Sequence, residues 1–159
     1  VFFAAIPGPV SIEPSKRIAM RRTALIIVAA LSTAAAASAG ETVSPAGARA
    51  YFINLKDGDV VASPVTVQFG LSGMGIAPAG TNVPNTGHHH LVIDETVEGP
   101  ALNEPIPVDD RHLHFGKGQT EATIALLPGT HTLQIVLGDY SHVPHNPPVM
   151  SDRITITVQ

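Results

Sequence analysis

The chain of 159 residues contains no cysteine and no tryptophan, and only five Phe and two Tyr. Without cysteine there is neither a disulfide framework nor a thiolate metal site, so any metal must be held by nitrogen, oxygen or thioether donors. Scarce aromatics leave a core of Val, Ile, Leu and Ala. Charged residues make up only 14% of the chain, with nine Lys and Arg against thirteen Asp and Glu. That balance lacks the basic excess that phosphate neutralisation requires, which excludes nucleic acid as a partner.

Glycine and proline are present in force, fourteen of each, and both interrupt helices and mark turns. With 44% hydrophobic residues, the composition fits one small β-rich domain rather than a helical bundle.

Met20-Arg21-Arg22 followed by the apolar run Thr23–Leu31 and by Ala37-Ser38-Ala39 reads as a secretory signal peptide over 20–39, cleaved after Ala39. Ser32 and Thr33 interrupt the apolar stretch short of the roughly 20 residues of a bilayer span, so no stable membrane span is expected after cleavage. Residues 1–19, with three prolines ahead of Met20, read as an over-extended start. Residues 40–48 read as a flexible tether and 49–159 as the domain. From Gly40 onward there are five Lys and Arg against twelve Asp and Glu, a net charge of −7, and all eight His belong to this part. The expected location is periplasmic or secreted.

Seven alternating segments predict strands: 50–54, 65–71, 88–94, 112–115, 120–126, 130–137 and 152–158. Turn residues separate them, as in Lys56-Asp57-Gly58-Asp59 and Leu127-Pro128-Gly129; 72–87 and 95–110 read as long Gly- and Pro-containing loops and 140–151 as a Pro-containing one. The expected fold is an all-β, immunoglobulin-like antiparallel sandwich of about seven strands.

With each strand antiparallel to the next, seven histidines converge on one end of such a sandwich. His88, His89 and His90 open the third strand, His112 and His114 end the fourth, and His142 and His145 lie in the loop after the sixth. His131 starts the sixth strand, so a rise of about 3.4 Å per residue puts it roughly 25 Å away, packed or satisfied at the surface. Alternation separates His88 and His90 from His89, which aligns with Leu91 and Ile93, and it leaves His88 and His90 pointing outward. His112 and His114 form a second H-x-H pair.

Two imidazoles on one side of a strand are a chelating arrangement for copper or zinc. The candidate metal ligands are therefore His88, His90, His112, His114, His142 and His145. Met74 and Met150 are candidate soft ligands, and Asp139 is a candidate ligand or His-orienting carboxylate. Gly116-Lys117-Gly118-Gln119-Thr120 lacks the phosphate-loop spacing, and no strand-turn-helix elbow presents Ser141 to His142 and Asp139 as a hydrolase triad. Asp109, Asp110 and Glu121 read as solvated charges. No general base stands out, and the balance leans away from an enzyme.

The stretches Gly87-His88-His89-His90-Leu91-Val92-Ile93-Asp94, His112–Glu121, Pro128–Gln134 and His142-Val143-Pro144-His145 resemble a family of small exported bacterial domains of unknown function. The resemblance covers about Tyr51–Val158. It implies that the histidine constellation, His131 included, is a family feature, and it names no reaction. Two readings follow: a periplasmic module binding a divalent transition metal, or a metal-free recognition domain for another cell-envelope protein or glycan.

Overall fold

The computed structural model describes residues 42–159; residues 20–39, read as a signal peptide, and those before them lie outside the described residues. Nine strands form two sheets. β1 (Arg49–Phe52), β3 (Val65–Ser72) and β7 (Glu121–Ile124) make a three-stranded antiparallel sheet in the order β1-β3-β7. The larger sheet runs β2 (Val60–Val61), β9 (Ile154–Val158), β8 (Gly129–Gly138), β5 (Thr86–Ile93), β4 (Gly75–Ile76), and β6 (His112–His114) also pairs with β5.

All seven expected strands are present, and the architecture is an all-β sandwich. The two additional strands are two-residue pieces that pair in parallel, β2 with β9 and β4 with β5. β2 follows the turn at 56–59 and β4 falls in the segment 72–87 read as loop; two residues are too few to show alternation. The 72–87 loop doubles back so that Gly75-Ile76 lies beside Thr86-Gly87, and the Ala77 amide donates to the Gly87 carbonyl at 2.9 Å.

Alternation builds the core. Val65, Val67 and Phe69 of β3 meet Leu91 and Ile93 of β5, Leu133 and Ile135 of β8, and Ile154, Ile156 and Val158 of β9, all buried in one cluster. β9 shows the one-sided pattern of a sheet with one wet face: its three apolar residues are buried, and Thr155 and Thr157 are exposed.

β5 behaves differently, being buried along both faces from Gly87 to Ile93. The face turned away from the sandwich carries Val92, and Val136 of β8 joins it. The segments expected to be surface loops cover that face. Val97 and Ile106 of the 95–110 segment, which also contains a short 3-10 helix (Gly99–Asn103), form a second apolar cluster with Val92 and Val136, against which Leu102 and Met150 pack. The segment after β8 folds back on its own strand. Leu137 donates its amide to Val149, Ser151 to Ile135, and Asp139 to Val143.

The stretch read as a tether is in contact here, with the Thr42 hydroxyl donating to Asp139 Oδ2 at 2.6 Å and the Ser44 amide to the Asn146 carbonyl at 3.0 Å.

If the outer face of β5 is a true second core, an apolar residue of its covering loop behaves like a core residue. Ile106 is 4% exposed and Val108, two positions on, is 66% exposed. Ile106→Ala is expected to lower unfolding free energy by about 2–5 kcal/mol, and Val108→Ala by less than about 0.5 kcal/mol. Urea denaturation of both variants measures the difference, and equal effects would mean the loop is not part of the core.

Candidate metal centre

Strand register assembles the site. On β5, His88 and His90 share the outer face, and across the antiparallel pairing with β6, His90 lies directly opposite His114. On the other side of β5, His88 faces Gly138 and His90 faces Val136 of β8. Gly138 leaves room that a side chain would fill: a Cβ there would stand 2.9 Å from His90 Nε2 and 3.3 Å from His142 Cα. Gly116, two residues after His114, clears space in the same way, since a Cβ there would run into the His114 ring.

His142 arrives from the loop. Asp139 makes the turn, accepting through Oδ1 from the Ser141 amide at 2.8 Å, the Ser141 hydroxyl at 2.8 Å and the Val143 amide at 3.0 Å. The His142 amide donates to the Asp139 carbonyl at 3.0 Å, and its backbone is left-handed, with φ 73°. Burial alone would push the Asp139 carboxyl up, but the hydrogen bonds from Thr42, Ser141 and Val143 bring it below the ordinary carboxylate value.

The result is four imidazoles in mutual contact. Ring centroids are 4.9 Å apart for His88–His90, 5.0 Å for His88–His114, 5.0 Å for His90–His114 and 4.8 Å for His114–His142. His142 stands 5.0 Å from His88 and 5.9 Å from His90. One nitrogen from each of His88, His90 and His114 lies within 4.8 Å of the others, and these three form the group with the geometry to hold a metal ion.

His88 Nε2 and His90 Nε2 are 3.1 Å apart, close to the nitrogen–nitrogen edge of about 3.3 Å expected for two imidazoles on one tetrahedral ion. The third nitrogen, on His114, lies within 4.8 Å of both.

Burial fixes the charge state. His88 and His90 are fully inaccessible to solvent. Desolvation, reinforced by the neighbouring His114 and His142, lowers the His88 pKa from 6.5 to about 4. Desolvation and the neighbours His88, His114, His142 and His112 lower that of His90 to about 2. His114 is lowered for the same two reasons, burial and His142. All three are neutral imidazoles at neutral pH, the form that ligates metals.

The cluster is also incompletely hydrogen-bonded. His88 Nδ1, His90 Nδ1 and His114 Nε2 are buried without a partner among the described residues. A buried polar group without a partner costs about 1–3 kcal/mol. An apolar triplet at these positions would avoid that cost.

Two of the expected ligands stand elsewhere. His112 is on the same face as His114 but one pleat further along, opposite Val92, where Asp109 Oδ1 holds its Nδ1 at 2.9 Å. Asp109, read as a merely solvated charge, thus positions this ring. His145 is fully buried but outside the cluster, with Nδ1 3.4 Å from the Leu137 carbonyl and Nε2 3.2 Å from that of Thr86. It braces the loop against the ends of β8 and β5.

Alternation places His88 and His90 away from the sandwich interior, yet they do not point into solvent, because the loops cover that face. His89 faces the interior, its ring 5.1 Å from Phe69. His131 is bound by Asp94 Oδ2 at 2.8 Å and the Leu127 carbonyl at 2.9 Å, a pairing that raises its pKa. Met150 packs against the second apolar cluster. The enabling glycines, Gly116 and Gly138, went unread as site residues; their signal was position, each just beyond the end of a ligand-bearing strand or opposite one.

Fold and site together define a small all-β sandwich with a buried histidine cluster between its larger sheet and the loops that cover it. Residues 67–159 match the family DUF4399, described as a domain of unknown function, and the chain belongs to that family. Comparison with curated proteins and with solved structures finds no match. Among the described residues, no helix is long and apolar enough to cross a membrane.

Because the folded pKa values of His88 and His90 lie below the 6.5 of an unfolded chain, both contributions to stability are complete above pH 6.5 and are lost as pH falls toward 4. His131 works in the opposite sense, its contribution being present below 6.5 and lost as pH rises through its elevated value. Chelator-treated protein is therefore expected to unfold at lower urea at pH 5 than at pH 6.5, with a smaller difference for His90→Leu. An equal pH dependence in the variant would show that the His90 proton equilibrium is not coupled to folding.

Proposed function

We propose that this domain is an exported module that binds one divalent transition-metal ion, copper or zinc, through His88, His90 and His114. The observation that carries the reading is three neutral imidazoles converging in a buried cluster, the Nε2 atoms of His88 and His90 3.1 Å apart and one nitrogen from each of His88, His90 and His114 within 4.8 Å of the others. The donor set is all nitrogen, which suits zinc and copper and excludes the thiolate-dependent sites. The Asp139 carboxylate acts on His88 with a favourable charge and offsets part of the cost of burying a cation beside it.

Export rests on the basic-apolar-small pattern of residues 20–39, and a periplasmic or secreted location follows from it. The competing reading, a metal-free recognition domain, gives no account of why buried imidazoles from β5 and β6 converge on one another. Among the described residues, none of the cluster's hydrogen bonds involves a carboxylate base, which favours holding or transferring an ion over hydrolysis.

Calorimetric titration of untagged protein with Zn(II) and Cu(II) is expected to give one site per chain. His90→Ala combined with His114→Ala is expected to abolish it. The ligands stay neutral below the ordinary histidine value, so binding should persist below pH 6.5 and weaken only as the depressed pKa values are approached. At a free metal concentration a hundredfold above Kd, the folded state gains about 2.7 kcal/mol. Affinity no better than that of scattered surface histidines, or unchanged in the double variant, would favour the recognition reading.

A further inference from the structure

The six centroid distances carry more than the presence of a site. Imidazoles bound to one ion at a metal–nitrogen distance of about 2.05 Å have their centroids about 3.2 Å from it, so a tetrahedral set of four has six edges of about 5.2 Å. A square-planar set of the same radius has four edges of about 4.5 Å and two diagonals of about 6.4 Å. The cluster has five separations between 4.8 and 5.0 Å and a sixth of 5.9 Å. That is the tetrahedral pattern, slightly opened along the edge between His90 and His142.

His142 stands apart from the other three in two respects. It comes from a loop instead of a strand, and its ring makes no hydrogen bond among the described residues. Its nitrogens lie outside the close group formed by His88, His90 and His114, although the ring touches all three. The left-handed backbone at His142 and the turn built on Asp139 fix where the side chain starts, and rotation of the ring is the one adjustment left. A left-handed conformation outside glycine is uncommon, and its position at a ligand-poor corner of the cluster matches the tendency of such conformations to gather at functional sites.

Resting on the metal-binding reading above, we propose that His142 is the fourth ligand and closes a tetrahedral four-imidazole site suited to a d10 ion, Zn(II) in particular. Copper(II) exceeds zinc in raw affinity for nitrogen donors but favours tetragonal geometry, which this arrangement denies it. A site closed by four protein ligands keeps no position for a water molecule, as in zinc sites that hold an ion without activating water.

Co(II), which reports coordination number through its visible absorption, tests this directly in untagged protein. The expected result is the intense absorption of four-coordinate Co(II), displaced by one equivalent of Zn(II) per chain. His142→Asn retains a residue that tolerates the left-handed backbone while removing the imidazole. It should admit a water molecule in place of the imidazole, so that the Co(II) spectrum shifts and becomes pH-dependent as that water ionises at about pH 7, whereas the spectrum of the closed four-imidazole site does not. It should also lower Zn(II) affinity by more than the roughly 10- to 100-fold that loss of an outer hydrogen-bond partner costs. Weak six-coordinate absorption in the unsubstituted protein, or an unchanged spectrum in His142→Asn, would overturn the fourth-ligand assignment while leaving three-histidine binding intact. Failure of the unsubstituted protein to bind either Co(II) or Zn(II) would overturn the metal-binding reading and this inference together.

Discussion

The pairing of β5 with β6, which sets His90 directly opposite His114, is the constraint on which the rest of the site depends. Side chains alternate along a strand, so a slip of one residue in that pairing would send His114 to the sandwich interior and Leu113 to the loops. The register is held by what lies on the other face. Leu91 is opposite Leu113 there and belongs to the main core, which Leu113 packs against. The histidine face and the apolar face of β5 therefore specify one another. The interior packing that stabilises the sandwich is also what aims the imidazoles.

A strand buried on both faces needs a second cover, and here it is made from chain without regular secondary structure. Val97 and Ile106 anchor one covering segment, and Val149 and the hydrogen bonds back to β8 anchor the other. The cover changes the chemistry of what it hides. Solvent-facing imidazoles would titrate near 6.5, whereas desolvation and mutual repulsion keep His88 and His90 neutral far into the acid range. Stability is given up to hold them in that state, through unpartnered nitrogens and the proton uptake they forgo.

Much of this was legible in the sequence, and the limits were physical. The two H-x-H pairs and the alternation around them identified the faces, and antiparallel chain direction was enough to bring 88–90, 114 and 142 to one end. Spacing could not separate His112 from His114, because both sit on the same face and only the proximity of Asp109 decides which ring is held away. It could not separate His142 from His145 either, since that depends on how the loop turns around Asp139. The outward direction inferred for His88 and His90 followed from alternation with Leu91 and Ile93, which identifies the face but not the loops that cover it. Two isolated apolar residues, Val97 and Ile106, show no periodicity by which to recognise a covering loop.

The central claim is that the imidazoles of this cluster hold a metal ion. X-ray absorption at the zinc edge of the Zn(II)-loaded, untagged protein measures it most directly. The account predicts a first shell of imidazole nitrogens at about 2.0–2.1 Å with the outer-ring scattering characteristic of histidine. A shell dominated by oxygen without that scattering would contradict it.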